Sequence, residues 1–246
     1  MEHSQGKVSS RDAAGRSWTG LFRVSGVLLI LTAAVWFVVS RTASLLYAGG
    51  YPGDPASYLQ LIAQHQQLAA ATWSLWIVAD FLLIAPTVAL YIVLRQYNMT
   101  LALLGSLLAM FFNVYDVCVT ELNSLTLVSL SHGYAAATSE ASRAGFVAAA
   151  TYGYYALPIQ TVLSFAVGSL GYLLWCAAMA KSVFPRWLAI FGAIASLAGL
   201  LGSGSPILPS TPILGLLQYI CVPLMALWFI VVGVRLFRLG RSLGPT

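Results

Sequence analysis

Three acidic residues lie inside apolar segments of this chain, where an ionisable side chain is costly and is therefore a candidate for function. They are Asp80, Asp116 and Glu121. At 1.5 Å per residue, Asp80 lies about 21 Å along its helix from Arg95, and Asp116 lies about 22 Å along the next helix from Leu101. We therefore expect the two aspartates at nearly the same depth on neighbouring antiparallel helices.

Polar residues around these acids share one face of their helix. At 100° per residue, Asn113, Asp116 and Thr120 fall within about 100° of arc, and Glu121 lies at the edge of this stripe. Such a face must point into a bundle rather than toward lipid. The sequence predicts a small polar pocket in the outer half of the bundle, with these lining residues: Asp80, Asn113, Asp116, Thr120, Glu121, Gln160 and Gln218.

No Lys or Arg lies within the apolar core of any of these segments, so the acids have no evident counter-charge there. They are either protonated and hydrogen-bonded, or share a proton or bind a cation, or face a water-filled vestibule. Our leading hypothesis is a non-enzymatic membrane protein whose pocket binds a small apolar or cationic ligand. The alternative is a proton-linked small-molecule carrier with Asp80 and Asp116 as the titrating pair.

A third and less favoured hypothesis is a metal-dependent lipid hydrolase built on His65, His132 and Glu121. It lacks a sequence signature, because the chain has no HxxxH or HExxH spacing and no CxxC motif, and because Ser203 and Ser205 lack a GxSxG frame. We expect Cys118, Cys176 and Cys221 to be small packing residues. The sequence therefore predicts no catalytic residue, no metal site and no cofactor.

The elements that position these residues are long apolar helices. The chain has 246 residues, of which 59% are hydrophobic and only 8% are charged. Crossing a hydrocarbon core takes about 20 apolar residues, and the sequence supplies six such runs, so we predict an all-α, polytopic transmembrane bundle of six helices. The predicted spans are Leu21–Ser40, Ala70–Leu94, Leu101–Ser124, Ala156–Ala180, Trp187–Ser203 and Ile213–Val234.

Basic residues in short connections set the orientation, because Lys and Arg remain on the cytoplasmic side during insertion. Only Arg41 and Arg143 of the twelve Lys and Arg residues lie on the opposite side in this arrangement. The ten that share one side are Lys7, Arg11, Arg16, Arg23, Arg95, Lys181, Arg186, Arg235, Arg238 and Arg241. We therefore predict a multi-pass protein of the cell (plasma or inner) membrane with both termini cytoplasmic (N-in/C-in). Its partner is the lipid bilayer, and no nucleic acid is expected.

The predicted organisation is a basic tail at residues 1–19, one transmembrane domain at residues 20–238 and a second tail at residues 239–246. Asp54 and Pro55 form a helix start in the first outer connection, which predicts a short interfacial helix there. The second outer connection, Ser131–Tyr155, reads as a loop. Three of its tyrosines, Tyr152, Tyr154 and Tyr155, fit the aromatic belt at the membrane surface.

Several segments resemble one family of bacterial membrane proteins. The stretch Ala89–Arg95, with Asn98 and Leu101–Leu104 after it, is similar to the ALYxxL(K/R)xxNxxLALL signature of the DUF4386 proteins. Gly171–Leu173 and Phe184–Gly192 are similar to the GYL and PRxLxxxG elements of that family. The resemblance covers roughly residues 21–201. It implies the fold and a membrane location, and it implies no substrate or catalytic residue because the family is a domain of unknown function.

Overall fold

The structure, a computed structural model, describes residues 18–205 and 211–242, and most of these residues are helical. The helices are α1 (Thr19–Leu46), α2 (Pro55–Gln64), α3 (Gln66–Leu94), α4 (Met99–Tyr115), α5 (Leu122–Ala136), α6 (Glu140–Met179), α7 (Arg186–Gly202) and α8 (Pro212–Ser242). A π-helical segment, Asp116–Glu121, joins α4 to α5 without a break. No strand occurs in these two ranges, so the all-α prediction is confirmed for the part that the structure describes.

Five helical stretches are long and apolar enough to cross a membrane: α1, α3, the continuous α4–α5 stretch, α6 and α8. The sixth predicted span, α7, has 17 residues and measures about 25 Å, slightly less than a hydrocarbon core of about 30 Å. The count of six spans and the N-in/C-in orientation therefore stay predictions. Lys7, Arg11 and Arg16, on which the orientation partly depends, lie outside the described residues.

Six helices form a closed ring of neighbours. Helix α1 contacts α3 and α8, α7 lies between α6 and α8, and α4 lies between α3 and α6. Aromatic side chains fill the centre, where the Phe229 ring lies 5.0 Å from Trp36, 5.5 Å from Trp228 and 5.6 Å from Tyr172, measured between centroids. The Trp228 Nε1 donates to the Leu188 carbonyl oxygen at 3.0 Å. This core joins α1, α6, α7 and α8 into one bundle.

Glycine pairs allow two pairs of helices to approach backbone to backbone. A Cβ atom on Gly26 of α1 would lie 2.5 Å from the Gly233 carbonyl oxygen of α8, and a Cβ on Gly233 would lie 2.6 Å from the Gly26 oxygen. Gly105 of α4 and Gly171 of α6 form a similar pair, with each hypothetical Cβ 3.0 Å from the other carbonyl oxygen. A larger side chain at Gly26 or Gly233 requires the two helices to separate.

The segment predicted as the second outer loop, Ser131–Tyr155, is a helical hairpin, so the predicted loop is wrong. Helix α5 continues to Ala136, and α6 begins at Glu140 after Ser139, whose side chain caps the helix by accepting the Ser142 N–H at 3.2 Å. Alanine dominates this stretch and has the highest helix propensity. The α4–α5 stretch has 38 residues and α6 has 40, so each is close to 60 Å long and extends about 30 Å further than crossing a hydrocarbon core requires.

The extending half of the hairpin packs with α2 around a second hydrophobic core. We call α2, α5 and residues 140–157 of α6 the cap. The predicted helix start holds, because Asp54 is the N-cap of α2 and Pro55 its first residue. Tyr58, Leu59 and Ile62 of α2 are buried against α5 and α6. The sequence thus predicted α2 correctly but not the elements that cover it.

One of the three tyrosines assigned to the aromatic belt belongs to the cap core. Tyr154 is only 6% exposed, whereas Tyr152 and Tyr155 are 80% and 59% exposed. The Tyr154 hydroxyl donates to the Pro52 carbonyl oxygen at 2.5 Å, and its ring packs 5.5 Å from Tyr58 between centroids. The interfacial placement of Tyr154 is therefore wrong, because the α2 connection folds over it and removes it from the surface.

The N-cap of α2 predicts a pH dependence at the cap. Hydrogen bonds from the Ser57 hydroxyl at 2.6 Å and from the Ser57 and Ala56 N–H groups hold the pKa of Asp54 below its ordinary value. A carboxyl group with a lowered folded-state pKa stabilises the fold above about pH 4 and loses this contribution as the pH falls through the folded-state value. We expect hydrogen exchange, corrected for its intrinsic pH dependence, to show α2 less protected at pH 3 than at pH 6.

The Asp54→Asn variant is the control for this effect. Its side-chain oxygen still accepts the two N–H bonds, but it does not titrate. Protection of α2 in this variant should be the same at both pH values, and an equal loss of protection in both proteins would contradict the assignment to Asp54.

Candidate functional site

The three acids of the predicted pocket lie together in the interior, where α3 faces the π-helical segment. Asp80 of α3 is 1% exposed, and Asp116 and Glu121 of the segment are 4% and 2% exposed. Each of the three pairs is close enough to interact electrostatically. We call Asp80, Asp116 and Glu121 the carboxyl cluster. It combines three like-charged groups from two elements that are far apart in the sequence.

The π-helical segment explains how Glu121 joins the cluster. In a straight α-helix, two residues five positions apart point about 140° away from each other, because five steps of 100° exceed one full turn by that angle. A π-helix pairs residues i and i+5 and therefore stacks Asp116 and Glu121 on one face. The sequence analysis put Glu121 at the edge of the polar stripe because it assumed a regular α-helix. Short π-helical segments are frequent at functional sites.

Hydrogen bonding satisfies only part of the cluster. The Ser164 hydroxyl of α6 donates to Asp116 Oδ1 at 2.8 Å, and the Thr120 side chain lies beside the same carboxyl group. Both carboxyl oxygens of Asp80 and the Oε2 of Glu121 have no hydrogen-bond partner among the described residues. Asn113, one turn before Asp116 and 2% exposed, has an unpartnered amide there too. Buried polar groups without partners are rare in proteins, so their concentration here points to a binding role.

Helix α6 supplies two site residues that the sequence analysis missed. One is Ser164. The other is Tyr172, whose buried hydroxyl has no hydrogen-bond partner among the described residues and interacts electrostatically with Asp80 and Asp116. Gln160, Ser164, Gly168 and Tyr172 follow each other at intervals of four, which places them along one face of a helix. This spacing of four residues is the sequence signal that could have identified Ser164 and Tyr172.

The two glutamines of the predicted pocket have other surroundings. Gln160 is half-buried, and its Oε1 accepts a hydrogen bond at 3.0 Å from Asn123 Nδ2, which also donates to the Gly153 carbonyl oxygen at 2.9 Å. Gln160 therefore helps to join α5 to α6 at the edge of the cap. Gln218 lies where α8 packs against α7, and a Cβ atom on Gly202 would collide with its backbone.

A small cavity lies against Tyr172, the residue of α6 that interacts electrostatically with Asp80 and Asp116. The volume open to the centre of a water-sized sphere is about 20 Å³, which is enough for about one water molecule. Its walls are mainly apolar and include Trp36, Phe112, Phe165 and Met225. The cavity therefore has room for about one water molecule beside Tyr172, and none of the three acids is among the residues that line it.

The three residues of the hydrolase hypothesis do not lie in one environment. His65 and His132 are exposed, whereas Glu121 is buried in the carboxyl cluster. Within residues 18–205 and 211–242, no group of three or more His, Cys, Asp or Glu side chains is placed to hold a metal ion. Cys176 and Cys221 are buried as predicted, but Cys118 is exposed on the bundle.

Comparison with known proteins gives one match. Searches of curated proteins and of solved structures find no similar protein. The family model described as a domain of unknown function, DUF4386, matches residues 24–242, which is nearly the whole chain and includes the carboxyl cluster, Ser164 and Tyr172. The chain therefore belongs to the DUF4386 family.

Proposed function

We propose that this protein is a multi-pass integral protein of the cell membrane that binds a proton or a small cation at the carboxyl cluster. Six crossings are supported by the ring of helices, in which α7 has neighbours on both sides like every other member. With both termini in the cytoplasm, Arg23, Arg95, Arg186 and Arg235 share the cytoplasmic side, as the positive-inside rule requires. The cap then faces the outside.

The observation that carries the binding proposal is the burial of interacting carboxyl groups without a basic partner. No Lys, Arg or His occurs within residues 66–94, 99–121 or 144–180, which supply the cluster and the α6 face beside it. An isolated buried carboxylate is strongly disfavoured, and such a group is stable when it holds a proton or contacts a cation. Three of them within interaction distance make the cluster a place where protons or small cations bind.

Infrared spectroscopy of the purified protein in detergent tests proton binding. A protonated carboxyl group has a C=O stretching band that is distinct from the bands of a carboxylate. We expect this band at pH 7 in the wild type and a weaker one in Asp80→Asn and in Asp116→Asn. Glu140→Gln is the matched control, because Glu140 is exposed, and this variant should keep the band.

A cation titration tests the other form of the proposal, in which the carboxyl cluster binds a small cation instead of a proton. If the protonated band is absent at pH 7, sodium, potassium or tetramethylammonium should raise the thermal unfolding temperature of the wild type and leave Asp80→Asn unchanged. A protein with neither the band nor a cation effect would overturn the binding proposal.

A proton-linked small-molecule carrier is the second candidate, and helix interruptions beside the acids favour it. Pro86 lies inside α3 less than two turns from Asp80, and the π-helical segment itself carries Asp116. Interrupted helices are frequent where transporters bind ions and change conformation.

Proteoliposomes that contain a trapped pH-sensitive dye test the carrier. We expect at least one amine in a panel of small amines to change the internal pH when it is added outside. Asp80→Asn and Asp116→Asn should abolish this change. A panel without any such amine would not support the carrier.

A further inference from the structure

A lateral groove lies between α1 and α8, at the end of the bundle where α1 begins and α8 ends. Its volume is about 270 Å³, and its lining consists of Arg23, Val24, Val27, Leu28 and Phe237. Val24 and Val27 are 54% and 44% exposed on the surface of the bundle. The groove is therefore apolar along its walls, open toward the bilayer and provided with one cationic side chain.

The Arg23 side chain is held in place at the groove. Its Nε donates to the Gly240 carbonyl oxygen at 3.0 Å. Arg23 can approach α8 this closely because residue 240 is a glycine. A Cβ atom on Gly240 would lie 2.9 Å from Arg23 Cγ and 3.0 Å from the Arg23 backbone nitrogen. The bond uses one of the five N–H donors of the guanidinium group. The two terminal amino groups remain to bind an anion.

Among the residues that the structure describes, the charge at this end of the bundle is positive only. Arg238 and Arg241 are exposed and lie within one turn of Gly240 on α8. The sequence has no Asp or Glu within residues 13–53 or 141–246, so neither α1 nor α8 supplies a counter-charge. An anion from outside the two helices is the natural complement of these arginines.

We infer that this groove binds one anionic phospholipid, with an acyl chain along the apolar walls and the phosphate at the guanidinium group of Arg23. The apolar walls and the arginines bind different parts of the same phospholipid. The apolar walls accept any lipid tail, whereas the arginines favour a negative headgroup, as basic pockets between membrane helices do. The site shares no residue with the carboxyl cluster and is independent of the function proposed for it.

Native mass spectrometry of the full chain, purified in detergent and depleted of lipid, tests this inference. We expect one phosphatidylglycerol to bind about tenfold or more tightly than a phosphatidylcholine with the same acyl chains, because charge-assisted hydrogen bonds add to the tail contacts. Arg23→Gln should reduce phosphatidylglycerol to the affinity of phosphatidylcholine. Arg186→Gln, at an exposed arginine on α7, is the matched control and should bind like the wild type.

A second variant keeps the test valid if Arg23→Gln fails to fold. Val27→Trp fills the groove from its exposed side, leaves the bond from Arg23 to Gly240 in place and should weaken binding of both lipids. Equal affinity for the two lipids, or equal losses in Arg23→Gln and Arg186→Gln, would overturn the inference. Inorganic phosphate that displaces phosphatidylglycerol completely would assign the site to a free anion instead and would also overturn it.

Discussion

Replacing Asp80 by asparagine is expected to reduce the pH dependence of thermal stability. In the wild type, rising pH ionises a carboxyl group whose two oxygens are buried without a hydrogen-bond partner among the described residues. Water solvates the same charge in the unfolded chain, so ionisation favours unfolding. Burying an unpaired charge costs several kcal/mol. At pH 9 we expect Asp80→Asn to unfold at a temperature about 4 °C or more above that of the wild type, as about 2 kcal/mol implies for this chain length.

Thermal unfolding in detergent from pH 5 to pH 9 is the measurement. Glu140→Gln makes the same chemical change at an exposed position and should unfold like the wild type at every pH. Asp116→Asn should have a smaller effect than Asp80→Asn, because Ser164 already donates a hydrogen bond to Asp116. If Asp80→Asn were less stable than the wild type by the same amount at every pH, the carboxyl group would be a structural hydrogen-bond partner, and the binding proposal would lose its main support.

Adding one methyl group at Gly26 is expected to destabilise the bundle. The Cβ atom of an alanine would lie 2.5 Å from the Gly233 carbonyl oxygen and 2.8 Å from the Phe237 backbone nitrogen, so α1 and α8 must move apart. Overpacking of this kind costs about 1–3 kcal/mol. Alanine regains at most about 1 kcal/mol through its helix propensity. Thermal unfolding of Gly26→Ala should therefore show a net loss of about 1–2 kcal/mol.

Gly20 is the matched control in the same helix. Among the described residues, no atom of another helix lies within 4 Å of a Cβ placed there, so Gly20→Ala should be as stable as the wild type or more stable. If Gly26→Ala and Gly20→Ala unfolded at the same temperature, the backbones of α1 and α8 would not be in contact at this point.

The parts of the fold that the sequence predicted are those with strong local signals. Long apolar runs identified the bundle helices, and Asp54 with Pro55 identified the start of α2. The α5–α6 hairpin was missed because its alanine-rich sequence lacks a strong hydrophobic pattern, and because Tyr152, Tyr154 and Tyr155 were assigned to the membrane surface. The preference of tyrosine for that surface was overridden at Tyr154 by packing against residues from the distant α2 connection.

The candidate site was likewise predictable only where the local sequence signal is strong. Charged residues in apolar runs stand out, so Asp80, Asp116 and Glu121 were found, and the arithmetic of helix rise placed the two aspartates at similar depths. The stacking of Asp116 and Glu121 could not be predicted, because a π-helical turn depends on the packing around it rather than on residue type. Tyrosine is a common residue in an apolar helix, and only the folded structure reveals that Tyr172 interacts electrostatically with Asp80 and Asp116.

The cap also has a consequence for the order of assembly. Tyr58, Leu59 and Ile62 of α2 bury themselves against residues that are synthesised much later, including Leu127 and Leu157. A contact between residues so far apart in the chain forms slowly, and the apolar face of the earlier helix stays uncovered until the later one is made. The growing chain therefore contains α3 and α4 before the residues that cover α2 exist. The apolar face of α2 can be buried only once α5 and the start of α6 have been made, and the cap can then form before α7 and α8 are complete.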